Sequence, residues 1–191
     1  MDAAAVAGET PVSSPFKDQI LAAHVWQGTS NDCGPFCASM LIRAATGIQI
    51  DPTALARSMD RITWNGIFPV VRRIPSWATF PWGVVDVLRR SGIAASWRLF
   101  TPESRLRAAL ARGLVPVLFI GSWKPLWGHV MILLAWDPEG GWGFANPAVR
   151  EKQLFWLKPE VLKKVWSAYG RAAVMVDLTG RIAGPASPAP G

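Results

Sequence analysis

Residues 27–40 read QGTSNDCGPFCASM, and in them a polar segment meets a cysteine and the start of a long apolar run. Asn31 and Asp32 are residue types that cap helices, so we predict that a helix begins at the next residue, Cys33. The apolar run continues on every side to about residue 46 and stops at Gly47, which favours a buried helix that ends there. The rest of the fold is arranged around this predicted helix.

The position of Cys33 predicts a reactive sulfur. A helix N-terminus carries about half a positive charge, which favours thiolate over thiol and lowers a cysteine pKa below its free value of about 8.5. The side-chain amide of Gln27 precedes the cysteine by six residues and is placed to donate a hydrogen bond to a carbonyl oxygen that the sulfur attacks. With the backbone N–H of Cys33 it would form an oxyanion hole, so Cys33 is the predicted nucleophile and Gln27 the oxyanion donor.

The chain contains two histidines that could act as the base, His24 and His129. His24 lies too close to Cys33 along the chain to approach the sulfur without a sharp reversal. His129 follows Gly128 at the start of a predicted strand, where its ring would lie at the end of a sheet and beside a cleft. We therefore predict His129 as the base; the alternative is a histidine that is hydrogen-bonded in the core.

A third group is needed to hold the imidazole in one tautomer. The runs 128–136 and 142–146 flank the turn sequence DPEGG and predict a hairpin that brings Asn146 back to His129. Asp137, at the other end of the strand, would lie about 26 Å from the histidine. Asn146 is therefore the predicted orienting residue, although an Asn-Pro pair is also a common turn in its own right.

The hydrophobic pattern predicts an α+β fold, with helices in the first half and strands in the second. The segment 16–27 is compatible with a short helix or with an extended lead segment, and the irregular segment 61–80, rich in Pro, Trp and Arg, is predicted to form a wall or lid of a cleft. The predicted helices are 33–46, 52–59, 81–90, 103–112 and 159–169. The predicted strands are 93–99, 114–120, 128–136, 142–146 and 172–178.

Several of these motifs in this order resemble the papain-like cysteine peptidases. The motifs are Gln27, the sequence Asp32-Cys33-Gly34 with Cys37 four residues later, the Gly128-His129 strand, and Asn146-Pro147 after a hairpin. The order and spacing are most similar to the double-glycine peptidases that process bacteriocin precursors, and to their stand-alone relatives, over about residues 26–177.

The resemblance implies a papain-like α+β fold, in which a helical N-terminal half with a central cysteine-bearing helix packs on a C-terminal antiparallel sheet. It also implies that Cys33 is the nucleophile, His129 the base and acid, Asn146 the orienting residue and Gln27 the oxyanion donor, with Cys37 in the core. The relatives have Asp-Pro where this chain has Asn146-Pro147. Many of them are fused to membrane and ATPase domains that are absent here, so a bacteriocin leader is not implied as the substrate.

The composition predicts one domain, 16–178, between disordered tails at 1–15 and 179–191. The net charge of +7 comes from basic residues spread along the chain; without a recognisable binding motif, we predict no nucleic-acid partner. The most apolar window, 114–136, is interrupted by Lys124, Pro125 and His129, which predicts no membrane span. The absence of a visible secretory signal, together with two cysteines spaced poorly for a disulfide, predicts a cytoplasmic protein.

The predicted activity is hydrolysis of a peptide or protein substrate through a thioester, without a metal or other cofactor; the oligomeric state is left open. One alternative is an acyltransferase in which an amine replaces water, and another is a silent peptide-binding module. A zinc site of Cys33, Cys37, His24 and His129 is a third alternative, although their spacing supports it poorly. Four tryptophans are candidates for substrate subsites or for core packing: Trp64, Trp82, Trp123 and Trp127.

Overall fold

The computed structural model describes residues 10–180. Its helices are α1 (Lys17–Ala22), α2 (Cys33–Thr46), α3 (Pro52–Met59), α4 (Pro81–Arg90), α5 (Glu103–Ala111) and α6 (Pro159–Ser167). Its strands are β1 (Val12–Ser13), β2 (Thr63–Asn65), β3 (Phe68–Val70), β4 (Arg73–Ile74), β5 (Ala78–Thr79), β6 (Ala94–Arg98), β7 (Leu114–Trp123), β8 (Leu126–Asp137), β9 (Gly141–Ala145), β10 (Phe155–Leu157) and β11 (Ala173–Asp177). No helix in this part of the chain is both long and apolar enough to cross a membrane.

A seven-stranded antiparallel sheet holds the structure together, in the order β10-β9-β8-β7-β11-β6, with β1 paired to one end of β8. The central strands β7 and β8 are apolar on both faces because helices cover both sides of the sheet. Alternate residues of β8, such as Val130 and Ile132, pack in one cluster with α2 and α4. Met131 and Leu133 pack in the other cluster, with α5 and α6. The predicted strands buried on both faces are therefore confirmed.

The helix α2 has the predicted beginning and end. Its first ten residues are all buried, as expected of a helix that is apolar on every side. Gly47 ends it in the left-handed conformation, with φ of 73°, and its N–H bonds to the carbonyl of Arg43. At the other end, a Cβ on Gly34 would lie 2.6 Å from the side chain of Thr79, so glycine is required for β5 to pack against the first turn.

Other predicted elements are confirmed with small changes at their ends. Asp51 caps α3 by accepting hydrogen bonds from the N–H groups of Thr53 and Ala54. The hairpin of β7 and β8 extends further than predicted, to Trp123 and Leu126. His129 is therefore the fourth residue of β8, whereas the apolar pattern had placed it at the beginning of the strand. The short strand β10 was not predicted.

The expectation that residues 1–15 form a disordered tail is wrong at its C-terminal end. Val12 and Ser13 form β1 and pair with Trp136 and Ala135 of β8, because β7 leaves that end of β8 without a partner on one side. The undecided segment after it contains a helix, α1. Residues 1–9 and 181–191, which make up most of the two expected tails, lie outside the described residues.

The segment 61–80 is more regular than its composition suggested. It forms two small hairpins, β2–β3 and β4–β5, each of which pairs only with itself. The turns use Gly66 and Ser76, both with positive φ. The second hairpin is fixed to the start of α2, since the side chain of Asn31 donates a hydrogen bond of 2.9 Å to the carbonyl of Ser76. Large apolar side chains of the segment are exposed: Ile62, Trp64, Ile67, Phe68, Val71 and Trp77.

Candidate active site

Cys33 is the first residue of α2, and its side chain is 8% exposed. Its sulfur lies against β8 at Val130, the residue that follows His129. Burial raises the pKa of the Cys33 thiol from 9.0 to about 11, although hydrogen bonds from the backbone N–H groups of Val130, Gly34 and Cys33 itself act in the opposite direction. The helix start thus directs its amide groups at the sulfur, as predicted.

The expectation of a lowered pKa for Cys33 is wrong in the resting protein. The amide groups stabilise a thiolate, but the loss of water around the buried sulfur costs more. The same effect acts on His129, whose pKa is lowered because burial disfavours the imidazolium. Burial therefore favours the thiol form of Cys33 and the neutral imidazole of His129 over an ion pair.

The hairpin of β8 and β9 brings His129 and Asn146 together, as the sequence predicted. Nε2 of the imidazole lies 2.7 Å from Oδ1 of Asn146, and the same oxygen accepts a hydrogen bond of 2.9 Å from the N–H of Ala148. Because Oδ1 is an acceptor, Nε2 must carry the hydrogen, and Nδ1 is the ring nitrogen left to take up a proton. This hydrogen bond also favours the charged imidazole, since it raises the pKa of His129 against the effect of burial.

His24 has a place in this arrangement that the sequence did not reveal. Its side chain is 3% exposed, and its Nε2 lies 3.0 Å from the backbone carbonyl oxygen of Asn146. Three residues later, the N–H of Gln27 donates to the carbonyl of Pro147. These two hydrogen bonds join the segment before α2 to the loop after β9, so they fix Asn146 relative to Cys33. No signal in the sequence pointed to this contact.

Gln27 lies in the loop before α2, and its side chain is engaged within that loop. Its Nε2 donates a hydrogen bond of 2.8 Å to the carbonyl of Ser30, and the hydroxyl of Ser30 donates to the carbonyl of Gln27. An amide group has two N–H hydrogens, so one remains for another acceptor. The structure is compatible with the predicted oxyanion donor, which remains a prediction.

Cys37 is fully buried one turn after Cys33, and its S–H donates a hydrogen bond of 3.3 Å to the carbonyl of Val130. It is a core residue, as the resemblance implied. The zinc alternative required it to converge with Cys33, His24 and His129. Between residues 10 and 180, no three side chains of His, Cys, Asp or Glu lie close enough to share a metal ion.

The four candidate tryptophans lie on four different elements: β2, α4, β7 and β8. Trp64 is exposed on β2, Trp123 stacks on Tyr169 with ring centres 5.4 Å apart, and Trp127 is partly exposed two residues before His129. Trp82 stacks on Phe80 at 4.6 Å. An apolar groove of about 830 Å³ is lined by Pro69, Val70, Val71, Ile74, Phe80 and Trp82. This groove involves the segment 61–80, as expected of a wall of a cleft.

Comparison with known proteins supports the fold. No protein-family model matches the chain, and no curated protein matches it either. A crystal structure of a protein from Bacillus anthracis, provisionally named a C39-like peptidase, matches with a TM-score of 0.64 at 12% sequence identity. The match covers 88% of this chain and 98% of that one. The chain therefore has the predicted α+β fold, that of a C39-like, papain-like peptidase.

Proposed function

We propose that this chain is a papain-like cysteine peptidase, similar to the stand-alone relatives of the double-glycine peptidases. The observation that carries the proposal is the hydrogen bond of 2.7 Å between His129 and Asn146, at the strand against which the Cys33 sulfur packs. A nucleophile at a helix start, a base and a group that orients the base are the parts that thiol catalysis requires. The fold likeness supports the same class of activity.

In the first half of the reaction, His129 acts as a general base. Its Nδ1 accepts the proton of the Cys33 thiol as the sulfur attacks the carbonyl carbon of a peptide bond. The carbonyl oxygen becomes negatively charged and receives hydrogen bonds from the backbone N–H of Cys33 and the side chain of Gln27. The imidazolium then gives its proton to the leaving amine, the C–N bond breaks, and a thioester remains on Cys33.

In the second half, water replaces the amine. His129 takes a proton from the water as its oxygen attacks the thioester carbon. The C–S bond then breaks and releases a carboxylic acid, while the imidazolium returns the proton to the leaving sulfur and restores the Cys33 thiol. Asn146 keeps Nδ1 available throughout, because it binds the hydrogen on Nε2. A neutral thiol and a neutral imidazole suit this order of steps, since the charges develop only when the substrate has entered and its oxyanion is stabilised.

A peptide library digested by the protein and analysed by mass spectrometry tests this proposal. We expect cleaved peptides whose new C-terminus is a free carboxylate, and a loss of turnover of roughly 10⁴-fold or more in Cys33→Ser. Cys37→Ser is the matched control, because it alters a thiol one turn away, and it should retain turnover within about threefold.

The same digest separates the alternatives. If a primary amine such as glycine amide is added, incorporation of the amine at rates that exceed hydrolysis would identify an acyltransferase. Peptides retained by the protein without any cleavage would identify a binding module. Cleavage that persists in Cys33→Ser would overturn the proposal, since the chemistry would then not depend on this thiol.

A further inference from the structure

Among residues 10–180, two aspartates immediately precede helices, and they behave differently. Asp51 precedes α3 and caps it in the usual way, with both carboxylate oxygens accepting backbone N–H groups. Asp32 precedes α2 and makes no such hydrogen bond with its side chain. A residue that is well suited to cap the helix of Cys33 is thus engaged elsewhere.

The partner of Asp32 is Arg73. Nη2 of this arginine lies 2.6 Å from Oδ1 of Asp32, and its Nε lies 3.1 Å from Oδ1 of Asp60. Only 4% of the Arg73 side chain is exposed, and the hydrogen bond that its guanidinium makes is the one to Asp32. Arg73 belongs to β4 of the second small hairpin, and Asp60 follows the last residue of α3. One buried cation therefore joins the hairpin, the end of α3 and the start of α2.

Without this ion pair, the Asp32 carboxylate would have one suitable donor on α2. A capping side chain accepts from the second or third residue of the helix, here Gly34 and Pro35, and proline has no N–H. Gly34 is therefore the available donor. Its N–H is one of the groups directed at the Cys33 sulfur, and the negative charge of Asp32 already raises the pKa of Cys33. A capping Asp32 would withdraw that donor and bring its charge closer to the thiol.

We propose that Arg73 is a positioning residue that holds the Asp32 carboxylate away from the N-terminus of α2. The N–H groups of Cys33 and Gly34 then stay available to the sulfur and to the negatively charged oxygen of the reaction. This inference rests on the proposed function for its catalytic meaning, but its physical content concerns the thiol alone. It also gives the segment 61–80 a role in the site, since the hairpin supplies the arginine.

The charged and titratable groups around the thiol come from several elements. Asp32 lies in the loop before α2, Cys37 on the same helix, His129 on β8, and Arg73 with Asp60 beyond Asp32. Burial lowers the pKa of His129, which favours its neutral form. Removal of Arg73 therefore leaves the negative charge of Asp32 without its cationic partner. The alkylation rate of Cys33 measures the effect of that charge.

The test is the rate at which iodoacetamide alkylates Cys33 at pH 8, measured by peptide mapping in the absence of substrate. We expect Arg73→Met to slow alkylation by about three- to thirtyfold, because the released carboxylate competes for the Gly34 N–H. In Asp32→Ala, Cys33 should be alkylated at least as fast as in the native protein. The double variant Asp32→Ala, Arg73→Met should match Asp32→Ala, since the arginine matters only while the aspartate is present.

Arg72 offers a matched control, because it is adjacent, equally buried and paired with Asp86 at 2.9 Å. Arg72→Met removes a buried cation as well, but should leave the alkylation of Cys33 unchanged. Arg73→Lys keeps the charge and should recover part of the rate. Thermal unfolding of each variant identifies general destabilisation.

Equal slowing in Arg72→Met and Arg73→Met would overturn the inference, and so would a double variant as slow as Arg73→Met alone. If Arg73→Met does not fold, the comparison of Asp32→Ala with native protein decides, and a slower Asp32→Ala overturns the inference. Alkylation requires no substrate, so a protein that cleaves no peptide would leave this result standing. If the native protein cleaves peptides but Arg73→Met is alkylated at the native rate, only the role proposed for Arg73 is overturned.

Discussion

Cys33 and Cys37 are both buried thiols on one helix, a single turn apart, and both contact the same residue of β8. The backbone N–H of Val130 acts to lower the pKa of the Cys33 thiol, whereas the S–H of Cys37 donates a hydrogen bond to the carbonyl of Val130. An N–H donor stabilises a thiolate, and a carbonyl acceptor stabilises the protonated thiol. The two polar groups of one residue thus prepare one thiol to lose its proton and the other to keep it.

Burial alone does not separate these two thiols. It raises the pKa of Cys33 to about 11 and raises that of Cys37 well above the ordinary value. The difference lies in the backbone N–H groups near each sulfur. Cys33 is at the helix start, where the N–H groups have no partner within the helix. Cys37 is in the second turn, where the N–H groups are already bonded to helix carbonyls. A reactive cysteine is therefore distinguished by the donors around it more than by its exposure.

The largest expected difference is in alkylation. Iodoacetamide should label Cys33 roughly 100-fold faster than Cys37, because one thiolate has N–H donors and a path to solvent and the other has neither. Since the Cys33 pKa of about 11 lies above the working range, its rate should rise about tenfold per pH unit from pH 7 to pH 9. Peptide mapping at several pH values measures both rates. Equal labelling of the two thiols, or a plateau below pH 8, would contradict this account.

A smaller effect is expected from changing the surroundings of Cys33 while leaving those of Cys37 intact. Asn146→Ala should lower kcat by about 10- to 100-fold and change KM by less than about threefold, because the imidazole loses the group that fixes its tautomer. Asn146→Asp is the companion variant. Its negative charge stabilises the imidazolium, so it raises the pKa of His129 and moves the acid limb of the kcat profile to higher pH.

The measurement is steady-state kinetics on a peptide identified by the library digest, between pH 5 and pH 9. An Asn146→Ala protein with native kcat would show that another group orients His129. His24 would then be the next residue to test, since it bonds to the backbone carbonyl of the same asparagine.

The smallest expected effect concerns the stability that Cys37 supplies. Cys37→Ala removes a buried sulfur and its hydrogen bond to Val130, so the free energy of unfolding should fall by about 1–2 kcal/mol. Turnover should stay within about threefold of native. Urea unfolding followed by circular dichroism measures the change, with Cys33→Ala as the comparison. A Cys37→Ala protein of native stability that lost its activity would reverse the roles assigned to the two thiols.

The parts of this protein that followed from its sequence are those set by neighbours along the chain. The helix α2 could be placed because its apolar run is bounded by polar residues on one side and by Gly47 on the other. The pairing of Asn146 with His129 could be predicted because a turn sequence lies between two apolar runs, and a hairpin returns its second strand along the first. The segment 61–80 was misjudged because its two short hairpins contain too few residues for a clear alternation.

The sequence by itself determined that the imidazole of His129 and the amide of Asn146 would meet, since a turn between two apolar runs suffices for that. Only the tertiary structure decided their electrostatic state and their supports. The pKa of Cys33 rises because distant segments exclude water from it, and desolvation does not depend on sequence neighbours. The contacts of Arg73 with Asp32 and of His24 with Asn146 join residues 41 and 122 positions apart, and such pairings exist only once the sheet and the helices have assembled.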